Sequence, residues 1–174
     1  MHLLRRMKTL YIRDGNSKLL NIKGDFLATK EMVELLNKGL AHQLQAAVQY
    51  MWEHILARGI EGAVVENAFR NAAIVEMKHA EDLADRIVFL NGVPTNNPSP
   101  IHVGHSLEEI LKENVQAEEE AISVFKEAIQ MASKEGDYGT RRLLEEILCD
   151  EERHLDKFGK LLVGLTSPFT QPEL

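Results

Sequence analysis

Proline stands at five positions only, and their placement divides the chain. Pro94, Pro98 and Pro100 cluster in one short stretch, Pro168 and Pro172 lie in the tail, and residues 1–93 and 101–167 have none. Proline removes a backbone donor and clashes with the preceding helical turn, so two long proline-free halves permit long helices. With only 6% aromatic residues, the pattern speaks against an all-β fold. A chain of 174 residues that is 44% hydrophobic can bury one ordinary core. Its lone Cys149 can form no internal disulfide and no thiolate zinc pair, so a reducing, cytoplasmic compartment is expected. Cys149 itself is expected to be a buried apolar filler.

Four amphipathic segments follow from apolar residues at helical spacing. The first covers about Thr29 to Leu56, with Leu36, Leu40, Gln43, Ala47, Tyr50 and His54 on one face, and stops near Gly59. The second covers about Gly62 to Leu90 and ends at Asn91-Gly92, a C-cap signal. A connection of about fifteen residues, Gly92 to Ser106, is too long for a tight turn; at about 3.3 Å per extended residue it can span a helix of that length. Ser106 and Glu109 form a capping box that opens the third helix, which breaks at Lys134-Glu135-Gly136-Asp137. The fourth runs from about Tyr138 to Leu162. Two helical hairpins joined by a long crossover give an all-α four-helix bundle over residues 25–164, with a tail at 165–174 and no fifth C-terminal helix.

The first 24 residues carry net charge +5, from Arg5, Arg6, Lys8, Arg13, Lys18 and Lys23 against Asp14, leaving −12 on the remainder of a chain whose total is −7. An acidic body suits cations and repels nucleic acid and anionic membranes. The basic leader is expected to be a flexible extension, with no apolar run of a secretory signal or membrane span.

Polar residues interrupt the apolar stripes at corresponding places. Glu76-x-x-His79 on the second helix recurs as Glu151-x-x-His154 on the fourth, 75 residues later. Thirty-three residues before each glutamate stand Gln43 and Glu118, again 75 apart. Residues equidistant from the turn of an antiparallel hairpin lie at the same height, so all six are expected to point inward at one level, with the first turn at Gly59 to Gly62. Three buried carboxylates need partners, and no Arg or Lys lies on these stripes nearby. Two divalent cations supply them: Glu76 and Glu151 bridge, His79 and His154 each cap one ion, and Glu118 is a terminal ligand. Oxygen and imidazole donors suit iron, and also manganese or zinc. Tyr50, seven residues after Gln43 on the same face, is placed either to reach a metal-bound glutamate or to pack in the core with a polar tip. His42 and His54 are expected at surface or bundle-end positions, and His102 and His105 in a solvated crossover; His2 lies in the leader.

At these residues the chain resembles the bacterioferritins, over residues 23 to 162. The likeness includes Lys23-Gly24-Asp25, Leu36-Asn37-Lys38, Gln49-Tyr50, Glu76-Met77-Lys78-His79-Ala80, Gly92-Val93-Pro94 and Ile147 to His154. The resemblance implies a ferritin-like fold and an intrasubunit di-iron centre that oxidises Fe(II) with oxygen or peroxide and passes Fe(III) to a homo-oligomeric shell. It implies that Glu76 and Glu151 are bridging ligands and that Met77 is a candidate haem ligand across a dyad; Glu76, Glu151 and Tyr50 are the expected catalytic residues. Two departures stand out. Gln43 replaces the family's other terminal glutamate, predicting a lopsided centre in which the half served by Glu118 and His154 binds better. The missing fifth helix leaves a smaller shell or a dimer open. Rubrerythrin-like and mini-ferritin-like readings fit less well, because the chain has no CxxC module and carries two E-x-x-H motifs. The rival functions are a metal-binding or structural protein with an impaired centre, and a di-metal oxidase or peroxide scavenger that stores nothing.

Overall fold

A computed structural model of the chain describes residues 11–13, 19–21 and 29–166. The N-terminal hairpin pairs β1 (Tyr11–Arg13) with β2 (Leu19–Asn21), antiparallel, with Ile12 opposite Leu20. Four helices follow: α1 (Lys30–Leu56), α2 (Gly59–Phe89), α3 (Leu107–Glu135) and α4 (Tyr138–Thr166). α1 packs along α2 and α3 along α4, and the two hairpins meet chiefly where α1 lies against α3. This is the expected four-helix bundle with a crossover. No described helix is long and apolar enough to cross a membrane.

The helix ends follow local chemistry. Thr29 accepts from the Met32 amide and Ser106 from the Glu109 amide, each satisfying an orphan donor of a first turn. The Glu109 side chain, however, accepts from the His105 amide rather than closing the box on Ser106. At the end of α2 the left-handed residue is Asn91, φ 63°, and the Gly92 amide donates to Ile87 O and the Asn91 amide to Val88 O. Gly136, φ 70°, plays the same part after α3. Asp137 then receives the Thr140 amide at 3.0 Å and Arg86 Nη2 at 2.6 Å, tying the second turn to the end of α2.

Two boundaries differ from expectation. The first turn is Ala57-Arg58 rather than Gly59 to Gly62, and α2 starts three residues early. Gly62 makes this possible: a Cβ there would lie 2.7 Å from the carbonyl carbon of Ala57. α4 continues past Leu162 to Thr166. Cys149 is exposed, not a buried filler, because Ile147 and Glu151 fix the inward face of α4 and position 149 turns away from it.

The crossover has no regular structure and is clipped to α1 at three heights. Asn37 donates to Val93 O and accepts from the Thr95 amide, Ala41 O accepts from Ser99, and Gln49 accepts from His102.

Two apolar clusters fill the bundle. One joins Leu36, Leu40, Leu83, Ile87, Phe125, Leu144 and Ile147; the other joins Tyr50, Val65, Phe69, Leu111 and Phe158. Between them lies a polar layer. Gly39 sets the approach of α1 to α3, since a Cβ there would come within 2.7 Å of the Phe125 ring.

Candidate metal centre

The polar layer draws from all four helices. α1 contributes Gln43, α2 Glu76 and His79, α3 Glu118, and α4 Glu151 and His154. Gln43, Glu76, Glu118 and Glu151 are at most 1% exposed, His79 is 6% exposed, and the His154 side chain is 12% exposed, so the layer is shut off from bulk water. The six residues singled out by the repeat therefore converge.

They do not converge equally. Glu76, Glu118, Glu151 and His154 each offer a donor atom within 4.8 Å of the others. His154 Nδ1 lies 2.6 Å from Glu76 Oε1 and 3.7 Å from Glu118 Oε1. His79 turns Nδ1 toward Gln43 Oε1 at 3.0 Å, Glu151 Oε1 at 3.2 Å and Glu76 Oε2 at 3.4 Å. Its Nε2 faces Asp150 Oδ2 at 3.2 Å.

The donors crowd together without completing a hydrogen-bond network. Glu76 Oε1, Glu151 Oε1, His154 Nδ1 and the Gln43 amide nitrogen are buried with no partner in hydrogen-bond geometry. Among the described residues no lysine or arginine pairs with Glu76, Glu118 or Glu151. Buried acceptors left in this state carry a desolvation cost, and divalent cations would remove it. The donor set fits them: carboxylate oxygens and imidazole nitrogens suit first-row divalent metals.

The ionisation pattern follows from the same crowding. Burial pushes Glu118 well up, and the charges of Glu76 and Glu151 add to it. Burial also penalises Glu76, but His154 and His79 outweigh it and hold the group below the ordinary value. His79 is lowered by burial and raised more strongly by Glu151 and Glu76, to about 10. Protonated imidazole thus supplies cationic charge to the layer, and a metal must displace that proton. Tyr50, fully buried and packed edge-on to Phe158 at 5.2 Å, donates its hydroxyl hydrogen to Glu118 Oε1 at 2.6 Å. Burial, then the charges of Glu118 and Glu76, push its phenol well above its usual range.

A ferritin-like domain model matches residues 33–167. The bacterioferritin of Brucella melitensis is 33% identical over 127 residues, which is 72% of this chain and 79% of that protein. The chain belongs to the bacterioferritin family. Other bacterioferritins agree: that of Desulfovibrio desulfuricans is 31% identical over 75% of this chain and 74% of its own, and that of Rhodobacter capsulatus 31% over 78% and 82%.

In this bacterioferritin-family chain the repeat did not reveal every buried polar residue. Asp150, the outer partner of His79, sits beside the inward Glu151 and is itself only partly buried. Gln45, Gln49 and Glu53 form a second buried polar row on α1, and only their four-residue spacing could have announced it. Glu53, rather than its neighbour His54, is the buried residue at that height. His42 is half-buried beside a polar cavity, and His102 and His105 are exposed as expected.

Met77, on the outward face of α2, is 59% exposed at the edge of an apolar cavity of about 670 Å³ lined by Leu40, Leu44, Val48, Met51 and Ile74.

Proposed function

We propose that the chain binds Fe(II) as substrate in the Gln43, Glu76, His79, Glu118, Glu151 and His154 layer and oxidises it, for iron storage or detoxification. The observation that carries this reading is the buried donor set of Glu76, Glu118, Glu151 and His154 within 4.8 Å, with no arginine or lysine neutralising it. Each Fe(II) gives up one electron, and a pair reduces one peroxide to water or one dioxygen to peroxide, with protons from solvent. Glu76 and Glu151 stand centrally and would serve both ions, His79 and His154 one each. Glu118, held by Tyr50, would complete one half-site, and Gln43 the other.

Gln43 makes the halves unequal. Three carboxylates carry −3 against +4 for two divalent ions, and an amide oxygen is a weaker ligand. The compact donor group contains Glu118 and His154 but not His79, which supports tighter binding on the Glu118 side. This same observation favours, as a second reading, a metal-binding protein in which one half-site is impaired.

Haem and self-association belong to the same proposal. The apolar cavity beside Met77 fits a planar hydrophobic group, which Met77 would help to hold; a bound haem would supply one-electron transfer. Met51, Trp52, Ile55, Leu56 and Ile60 are exposed along the α1 to α2 end, an apolar surface suited to a second copy, whether in a dimer or a larger shell.

Aerobic addition of Fe(II) to the purified protein tests the reading. Oxidation faster than in buffer with iron retained supports storage. Turnover without retained iron favours a scavenger, and no acceleration rejects both enzymatic readings.

A further inference from the structure

Glu53, near the end of α1, is 1% exposed and only half satisfied. Its Oε2 accepts from Asn114 Nδ2 at 2.7 Å, and Asn114 Oδ1 accepts from Gln49 Nε2 at 2.8 Å. Gln49 Oε1 in turn accepts from Gln45 Nε2 at 2.7 Å. This chain of amides secures one edge of the carboxylate and leaves the other: Glu53 Oε1 is buried with no hydrogen-bond partner. Burial raises the carboxyl to about 8, and the Asn114 bond offsets only part of the rise. A buried acceptor in this state carries a desolvation cost that a donor placed against it would remove.

Space for such a donor adjoins the residue. Glu53 borders a cavity of about 540 Å³ that reaches from the turn between α1 and α2 to the start of α3. Gln45, Gln49 and Asn114 do not border it, so the bonded oxygen faces the amides and the free one remains for the open side. Leu56, Val65, Phe69 and Ile110 give the cavity an apolar wall, and Glu61 adds a second carboxylate on its exposed rim. Arg58, the basic side chain of the rim, donates Nη1 to the carbonyls of Ile55 and Ala57. Among the described residues, carboxylate and imidazole donors gather in threes or more around Glu118 and not around Glu53, so a bare metal ion would lack ligands here. A cation that carries its own N–H donors on an apolar body needs only one carboxylate and a hydrocarbon wall, and the cavity offers both.

We propose that this cavity binds a small organic ammonium ion, with an N–H donated to Glu53 Oε1 and the hydrocarbon part against Val65 and Phe69. Glu53 stands ten residues, or about 15 Å of helix, beyond Gln43, and the site does not depend on whether the Glu118 layer oxidises iron.

Calorimetric titration of the full-length protein with hexylammonium chloride tests it. At about pH 8.5 Glu53 is largely ionised and an alkylammonium, like a lysine side chain, keeps its proton. One hexylammonium is expected to bind per chain, and hexan-1-ol, with the same tail and no charge, to bind at least about tenfold more weakly. Glu53→Gln is expected to lower the affinity for hexylammonium by about tenfold or more. Circular dichroism checks folding. Glu61→Lys, at an exposed position, reverses the charge of the rim and is expected to weaken binding several-fold, which carries the test if Glu53→Gln does not fold. The proposal is overturned if hexylammonium does not bind, if hexan-1-ol binds as tightly, or if the folded variants bind hexylammonium as the unaltered protein does. Failure of iron oxidation is a separate result and leaves this one standing.

Discussion

Tyr50 and Glu118, on the two helices that join the hairpins, share a 2.6 Å hydrogen bond in which the phenol donates and the carboxylate accepts. Tyr50→Phe keeps the aromatic contact with Phe158 and removes only this bond. The expected cost in stability is about 1 kcal/mol. Fe(II) oxidation is expected to slow several-fold, because Glu118 loses the group that fixes its oxygen. Thermal melts with stopped-flow absorbance separate the two effects; a rate equal to that of the unaltered protein removes Tyr50 from the mechanism.

Gln43→Glu restores a fourth carboxylate beside His79. It is expected to raise the number of Fe(II) ions bound per chain at low iron and to speed oxidation. Calorimetric stoichiometry and initial rates check this, and no change in either would refute the account of unequal half-sites.

Met77→Leu preserves the apolar cavity and removes the thioether. Protein supplied with haem is expected to show a Soret band, and this variant to lose it. If the band persists in the variant, the ligand is another residue; if the unaltered protein shows none, haem leaves the proposal.

Asp137 caps α4 through Thr140 and holds Arg86. Burial alone would raise its carboxyl, but Thr140 and Arg86 outweigh burial and hold it below the usual range. A group depressed on folding contributes stability above its unfolded value, about 3.9, and loses it as pH falls through the folded value. Asp137→Ala is expected to cost about 1–2 kcal/mol at neutral pH, and the difference from the unaltered protein to shrink below about pH 4. Denaturant titrations across pH measure it; a constant difference down to strong acid would contradict the ion pair.

Glu53 behaves in the opposite sense. With its carboxyl raised from about 4.5 to about 8, the metal-free protein loses stability as pH rises through that interval. Glu53→Gln is therefore expected to melt higher than the unaltered metal-free protein at pH 7 to 8, and to lose this advantage near pH 4. Equal melting curves at both pH values would show that Glu53 is not strained by burial.

The sequence made the polar layer legible because each of its members interrupts an apolar stripe. Gln43, Glu76, His79, Glu118, Glu151 and His154 stood out as polar residues at core spacing, and the 75-residue repeat placed them at one level. Glu53, Gln45 and Gln49 did not stand out. α1 is buried against both α2 and α3, and a single-stripe reading follows only part of that surface. The same simplification assigned burial to Cys149. The first turn fell at Ala57-Arg58 because glycine at 62 tolerates a backbone approach that hydrophobic periodicity cannot register. Asn91, rather than Gly92, took the left-handed position, a choice open to asparagine in any such pair.

The clips that Asn37, Ala41 and Gln49 place on the crossover bear on how copies of this chain can meet. Each hairpin carries half of the donor layer, so two molecules could exchange hairpins through an unfastened connection and still complete both layers. Fastening the connection along α1 raises the cost of that exchange, since a swapped chain must first peel the segment from its own helix. Any self-association would thereby be steered toward surfaces meeting side by side, leaving each layer within one polypeptide.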